Sequence, residues 1–222
     1  MNYNLIIDFD STIAGLEGLD ELAKICLKNN KNKQLLVKKI QSITNNGMLG
    51  KITFNESLKQ RLNLFKPTTN NVSELVILLN KNISQSFIKN KNFIKRNKNN
   101  IYVVSGGFKE WIIPITKQLS IKNENVFANT FTLNNKKQIS GFNKNNPLSK
   151  AKGKIEVVKN LNLKGKKIVV GDGYTDYEIV KYKQADLFFA YTEFVKRDEI
   201  VNLANKELKN FSQIINYIEQ EI

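Results

Sequence analysis

Two carboxylates, Asp8 and Asp10, follow directly on the apolar run Leu5-Ile6-Ile7 in the segment Asp8-Phe9-Asp10-Ser11-Thr12. Side chains alternate faces along a strand, yet chain leaving a strand end can turn both acids toward one site at the carboxyl edge of a parallel sheet, where open α/β folds bind ligands. One carboxylate there can attack as a nucleophile while the other carries a proton. A second acidic pair, Asp172 and Asp176, closes the run Val169-Val170-Gly171-Asp172-Gly173-Tyr174-Thr175-Asp176. Asp172 suits direct contact with a hard metal ion and Asp176 suits supporting it from behind. Between the pairs, Val103-Val104-Ser105-Gly106-Gly107 ends a strand and opens a helix, so the Ser105 hydroxyl and the N–H groups of Gly106 or Gly107 can hold phosphate oxygens. Lys152, in Ala151-Lys152-Gly153-Lys154, begins the next helix and offers those oxygens a point charge. Each segment alone is common: paired acids are often a polar loop, and a single Lys in so Lys-rich a chain is usually solvated. Their order, each at a strand-to-helix junction, is far more specific than its parts.

The elements that must position them are legible as pattern. Strands rich in β-formers are expected at 4–9, 101–105, 167–171 and 187–190, with amphipathic helices at 107–119, 152–163, 175–182 and 211–218. Alternation of this kind implies parallel βαβ units in a doubly wound, Rossmann-like α/β sheet. Segments 127–133 and 138–142, turning at Asn134-Asn135-Lys136, are expected to form a hairpin. Residues 18–82 are too long for one crossover and helical throughout: Leu19, Leu22, Ala23 and Cys26 share a face, a second helix covers 35–43, a third covers 54–65 before Pro67, and a fourth carries Leu75, Leu78 and Leu79. The expected organisation is a catalytic core of residues 1–17 and 83–222, with a small helical cap, 18–82, inserted after the first strand and able to close over the acids. The plainer alternative is a helical embellishment with a packing role alone.

Composition narrows the class. In 222 residues, 41% hydrophobic, no apolar run nears the roughly 18 residues a membrane span needs, and Asp8 cuts off the first apolar run before it reaches signal-peptide length. The single Cys26 cannot form an intrachain disulfide, which suits a reducing cytoplasm. A charge of +15 raises the possibility of a nucleic-acid-binding module. Lys supplies nearly all of it, however, in company with Asn; Arg61, Arg96 and Arg197 are the only arginines. Base recognition leans on Arg forks and stacked aromatics that the Lys/Asn runs lack, and codon bias toward A and T gives the same excess. No specific nucleic-acid partner is expected, and no membrane.

The ordered motifs resemble the signature of the haloacid dehalogenase superfamily of phosphotransferases. Within it, Asp8-Phe9-Asp10-Ser11-Thr12 followed by Glu17-Gly18-Leu19-Asp20-Glu21-Leu22-Ala23 is similar to the start of the phosphoserine phosphatases, as are Met48, Phe54, Leu58-Lys59-Gln60-Arg61-Leu62 and Val104-Ser105-Gly106-Gly107-Phe108. The resemblance spans residues 4 to about 195, with Thr175 standing where many members carry Asn. It implies Mg2+-dependent hydrolysis of phosphoserine, the last step of serine synthesis, in a cytoplasmic monomer or homodimer without a regulatory domain before Asp8. Asp8 would form an aspartyl phosphate and Asp10 would protonate the leaving alkoxide. Mg2+ would sit among Asp8, the Asp10 carbonyl and Asp172, with Asp176 behind. Ser105, Gly106, Gly107, Lys152 and Thr175 would hold the phosphate.

Glu17 would take the substrate ammonium and Arg61 its carboxylate, a fork geometry for which Lys is no replacement; the alternative is that Arg61 pairs with a cap acid such as Glu56. Met48 and Phe54 would wall the pocket or serve only as cap core. Transfer to another small alcohol such as homoserine, or hydrolysis of a different small phosphomonoester, is the rival within the superfamily, and the Glu17 and Arg61 pair favours an amino-acid ester.

Overall fold

The computed structural model describes residues 3–221; residues 1–2 and 222 of the expected core lie outside the described residues. In chain order, β1 (Tyr3–Ile7) is followed by α1 (Gly18–Cys26), α2 (Lys33–Met48), α3 (Phe54–Leu62), α4 (Thr69–Asn80), α5 (Gln85–Lys89) and α6 (Lys91–Arg96). Then come β2 (Ile101–Phe108), α7 (Lys109–Gln118), β3 (Val126–Asn129), β4 (Phe131–Leu133), β5 (Ile139–Phe142) and α8 (Gly153–Asn160). The chain ends with β6 (Lys166–Gly171), α9 (Tyr174–Lys181), β7 (Leu187–Tyr191), α10 (Asp198–Val201), β8 (Lys206–Leu208) and α11 (Phe211–Glu221).

Six strands form a parallel sheet in the order β3-β2-β1-β6-β7-β8. Period-two alternation sends successive residues of each strand to opposite faces. Leu5, Ile7, Val103, Ile168, Val170, Phe189 and Tyr191 join one apolar cluster, whereas Ile6, Val104, Val169, Phe188 and Ala190 join another. Both faces are therefore covered, as an all-parallel sheet requires. The first cluster is continuous with Leu22, Ala23, Ile40, Leu58 and Leu75 of the inserted helices, so the insertion is packed on the core rather than tethered to it. Thr53 and Thr68 begin α3 and α4 with reciprocal capping boxes, to Glu56 and Asn71.

The expected hairpin is corrected in part. β4 and β5 do pair antiparallel, but residues 126–129 are a separate strand, β3, parallel to β2. Alternating apolar residues look the same in a hairpin arm and a sheet-edge strand, so the pattern alone does not separate them. β3 also serves the neighbouring strand end, because the Asn129 amide donates to the Gly106 carbonyl at 2.9 Å.

Candidate active site

All strands of a parallel sheet end on the same side, so the loops after β1, β2, β6 and β7 meet at one edge. Asp8 leaves the sheet between β2 and β6, its N–H donating to the Val170 carbonyl at 2.9 Å. One of its carboxylate oxygens accepts the Phe9 N–H at 2.7 Å, and the other lies 2.9 Å from Lys154 Nζ. Lys154 is buried and also reaches Asp176 Oδ1 at 2.7 Å. Burial alone would lower its pKa, but the carboxylates of Asp176 and Asp8 override that and raise it, holding the ammonium charged. Asp176 is pushed up to about 7 by burial and by Asp8, against the pull of Lys154.

Asp8, Asp172 and Asp176 bring carboxylate oxygens within 4.8 Å of one another. The Arg197 guanidinium holds Asp172 Oδ2, while Oδ1 is buried with no hydrogen-bond partner among the described residues. Burial raises the Asp172 pKa well above the usual carboxylate range despite Arg197. An all-oxygen donor set with one orphaned buried oxygen fits a hard divalent cation. Both oxygens of Asp176 are already engaged, by Lys154 and by the Gly173 N–H at 3.2 Å. It is thus suited to orienting the site rather than to direct contact.

Asp10 faces the same pocket from the other side, accepting the Gly18 N–H on Oδ1 at 2.9 Å. Burial, then the charges of Glu17 and Asp8, raise its pKa well above the usual range, which favours the protonated form. Ser105 is buried inside β2, where the pairing with β3 shifts register, its Oγ accepting the Gly107 N–H at 3.0 Å and keeping its own proton to donate. Gly106, Gly107 and Thr175 line the same pocket.

Other lining residues come from the turn before α1 and from the insertion. Ser11, with a left-handed φ of 53°, donates to Glu17 Oε1 at 2.7 Å. Arg61 is buried and donates to Thr44 Oγ1 at 3.0 Å, to the Ser57 carbonyl at 3.3 Å and to Asp20 Oδ1 at 3.4 Å. Its partner is thus Asp20 and not Glu56, whose carboxylate caps α3 through Thr53. These bonds use Nε and Nη1 of Arg61 and leave Nη2 for a ligand. The Phe54 ring lies so close over Gly106 that a Cβ there would come within 2.4 Å of it, and a Cβ on Gly173 would stand 3.0 Å from the Met48 sulfur. Both apolar residues line the pocket, and Phe54 closes it against the Ser-Gly-Gly turn.

Lys152 is corrected. It is exposed, in the left-handed conformation (φ 61°) that precedes α8, with its ammonium 4.3 Å from the Tyr182 ring centre. The buried lysine is Lys154, two residues on. Arg197 was not expected from the sequence either; its signal was its type, since it is one of only three arginines in a chain that otherwise uses Lys. Of the residues that hold Arg61, Asp20 stands in the quoted stretch after Glu17 without a role of its own, and Thr44 carried no signal.

The chain matches no family model. It is 32% identical to the chloroplastic phosphoserine phosphatase of Arabidopsis thaliana over 96% of its own length and 70% of that protein. With the phosphoserine phosphatase of Homo sapiens it shares 28% identity over 96% of its length and 92% of the human protein. Among solved structures, a phosphoserine phosphohydrolase-like protein from Francisella tularensis superposes with a TM-score of 0.86 at 30% identity, covering 98% of this chain and all of the other.

Proposed function

The chain belongs to the phosphoserine phosphatase family of haloacid dehalogenase-like hydrolases, and on that footing we propose that it hydrolyses O-phospho-L-serine to L-serine and phosphate. The observation that carries this reading is a single pocket lined by Asp8, Asp10, Ser105 and Lys154 together with Glu17 and Arg61. The first group suits a phosphate; the second suits an α-ammonium and an α-carboxylate.

In the proposed reaction an Asp8 carboxylate oxygen attacks phosphorus as the P–O bond to serine breaks, forming an aspartyl phosphate. Asp10 gives its proton to the departing serine oxygen. It then takes a proton from the water that attacks phosphorus, breaking the acyl-phosphate P–O bond and returning Asp8 to a carboxylate. Lys154, the Ser105 hydroxyl and the N–H groups of Gly106 or Gly107 meet the charge spread over the phosphoryl oxygens, with Arg197 adding a cation that the sequence did not suggest. Thr175 borders the same oxygens. Asp8, Asp172 and the Asp10 carbonyl would hold Mg2+, with Asp176 fixing Lys154 behind them. Bound there, the ion supplies charge neutralisation between nucleophile and phosphate.

Glu17 and Arg61 orient the serine moiety while Met48 and Phe54 exclude water above it, so the inserted helices 18–82 act as a lid. We place the reaction at the end of serine synthesis, in the cytoplasm; among the described residues no helix is long and apolar enough to cross a membrane. The test is phosphate release by the purified protein from a panel of phosphomonoesters, with Mg2+ and with a chelator. Phosphoserine should be preferred, and turnover should stop on chelation and return with Mg2+. Equal rates on phosphoserine and an aryl phosphate would overturn the substrate assignment.

A further inference from the structure

The loop between β7 and α10, residues 192–197, delivers Arg197 to Asp172, and a carboxylate with no place in the proposed chemistry pins that loop down. Glu193 is half-buried and accepts from three hydroxyls: Ser84 Oγ at 2.8 and 2.9 Å to its two oxygens, Ser86 Oγ at 2.8 Å, and the Tyr191 phenol. These hydroxyls are themselves held. Ser86 Oγ accepts the Phe211 N–H at 2.9 Å, and Ser84 Oγ caps α5 by accepting the Phe87 N–H at 3.3 Å.

The segment carrying the serines is sewn to the turn between Asp10 and Glu17. The Ser84 N–H donates to the Ile13 carbonyl and the Gly15 N–H to the Asn82 carbonyl, both at 2.9 Å, and Ile83 bridges Ala14. Next to Glu193, the Phe194 ring lies over Gly15 so closely that a Cβ there would come within 2.7 Å of it. One carboxylate thus ties the loop of Arg197 to the turn that carries Asp10 and Glu17.

We propose that Glu193 is a positioning residue for Arg197: it fixes the loop so that the guanidinium is held on Asp172, beside the pocket. A long side chain reaching a buried carboxylate holds its place only if its own backbone is fixed, and only three residues separate Arg197 from Glu193, the one carboxylate that loop buries among hydroxyls. Gln at this position keeps the shape but replaces one acceptor oxygen with an amide donor, which cannot serve three hydroxyl donors. This inference rests on the phosphatase reading for its substrate and for the contact of Arg197 with phosphate, but not for the anchoring of the loop.

The experiment is a double-mutant cycle of Glu193→Gln and Arg197→Ala, read as kcat and KM for phosphoserine in the Mg2+-loaded enzyme, with Ser84→Ala as a milder second way to loosen the anchor. A guanidinium that binds phosphate equally in ground and transition states contributes to KM, so Glu193→Gln should raise KM about tenfold with kcat within about twofold. A variant that merely loses folded protein would instead lower apparent kcat at unchanged KM. Because Arg197 is the route by which Glu193 acts, the double variant should be no worse than Arg197→Ala alone, within about twofold. Multiplied losses, or a Glu193→Gln enzyme with wild-type KM, would overturn the proposal. If the wild-type chain released no phosphate from phosphoserine, the substrate reading would fail separately. The same cycle read as inorganic phosphate affinity by calorimetry would still decide the role of Glu193, with non-additive losses supporting it and additive or absent losses overturning it.

Discussion

The two walls of the pocket are held by different means. At the strand ends, Asp8, Asp172 and Asp176 crowd together and are offset by Lys154 and Arg197. In the inserted helices, Arg61 leans on a hydroxyl, a carbonyl and a carboxylate 3.4 Å away. The first wall concentrates charge where charge must be stabilised, and its members depend on one another. The second holds one planar cation through mostly neutral partners, so its guanidinium keeps bonding capacity for a ligand. Chemistry and selectivity are thus separable, and substitutions on the two walls should fail differently.

The sharpest way to break this contrast is Asp8→Asn, which should lower phosphoserine turnover by about four orders of magnitude or more in a phosphate-release assay. Turnover near wild type would remove the nucleophile from the strand-end wall. Next, Lys154→Ala should lower kcat/KM by about 10²- to 10³-fold. Because it leaves Asp8 and Asp176 buried without their cation, it should also cost on the order of 3–5 kcal/mol in denaturant unfolding of the metal-free protein. A loss of activity without a loss of stability would show that the wall is not mutually dependent.

Arg61→Ala should act on selectivity, lowering kcat/KM for phosphoserine about 100-fold while an aryl phosphate changes by no more than about threefold. Equal losses on both substrates would merge the two walls into one. The smallest effect belongs to Lys152→Ala, which should stay within about twofold of wild type in the same assay; a loss matching Lys154→Ala would reverse the correction made above.

The contrast also explains what the sequence disclosed. Asp8 and Asp172 were legible because each follows an apolar, β-rich run and lies at the edge where parallel strands end, whereas Ser105 lies inside β2, which continues to Phe108 across a register shift. The lysine was legible as a kind but not as a position. Whether Lys152 or Lys154 turns inward depends on the residue at which α8 starts, and helix boundaries are uncertain by one or two residues; here the left-handed Lys152 starts the helix at Gly153. Arg197 follows a strand with no motif after it, and only its rarity in the composition set it apart. The partners of Arg61 come from α1 and α2, so their meeting is a matter of helix packing, which spacing along one helix does not encode. β3 was lost to the hairpin because both demand the same alternation.

The strand order has a consequence for how the molecule is made. β1, the earliest of the described strands in the chain, lies between β2 and β6, so one flank stays bare until residue 171 has been synthesised. Asp172 and Arg197 emerge later still. Throughout most of translation Asp8 sits on an exposed, sticky ribbon with neither its lysine nor its cation-binding partner, and non-local pairing of this kind is slow and prone to association. The site can therefore be assembled only after the chain has been made through Arg197.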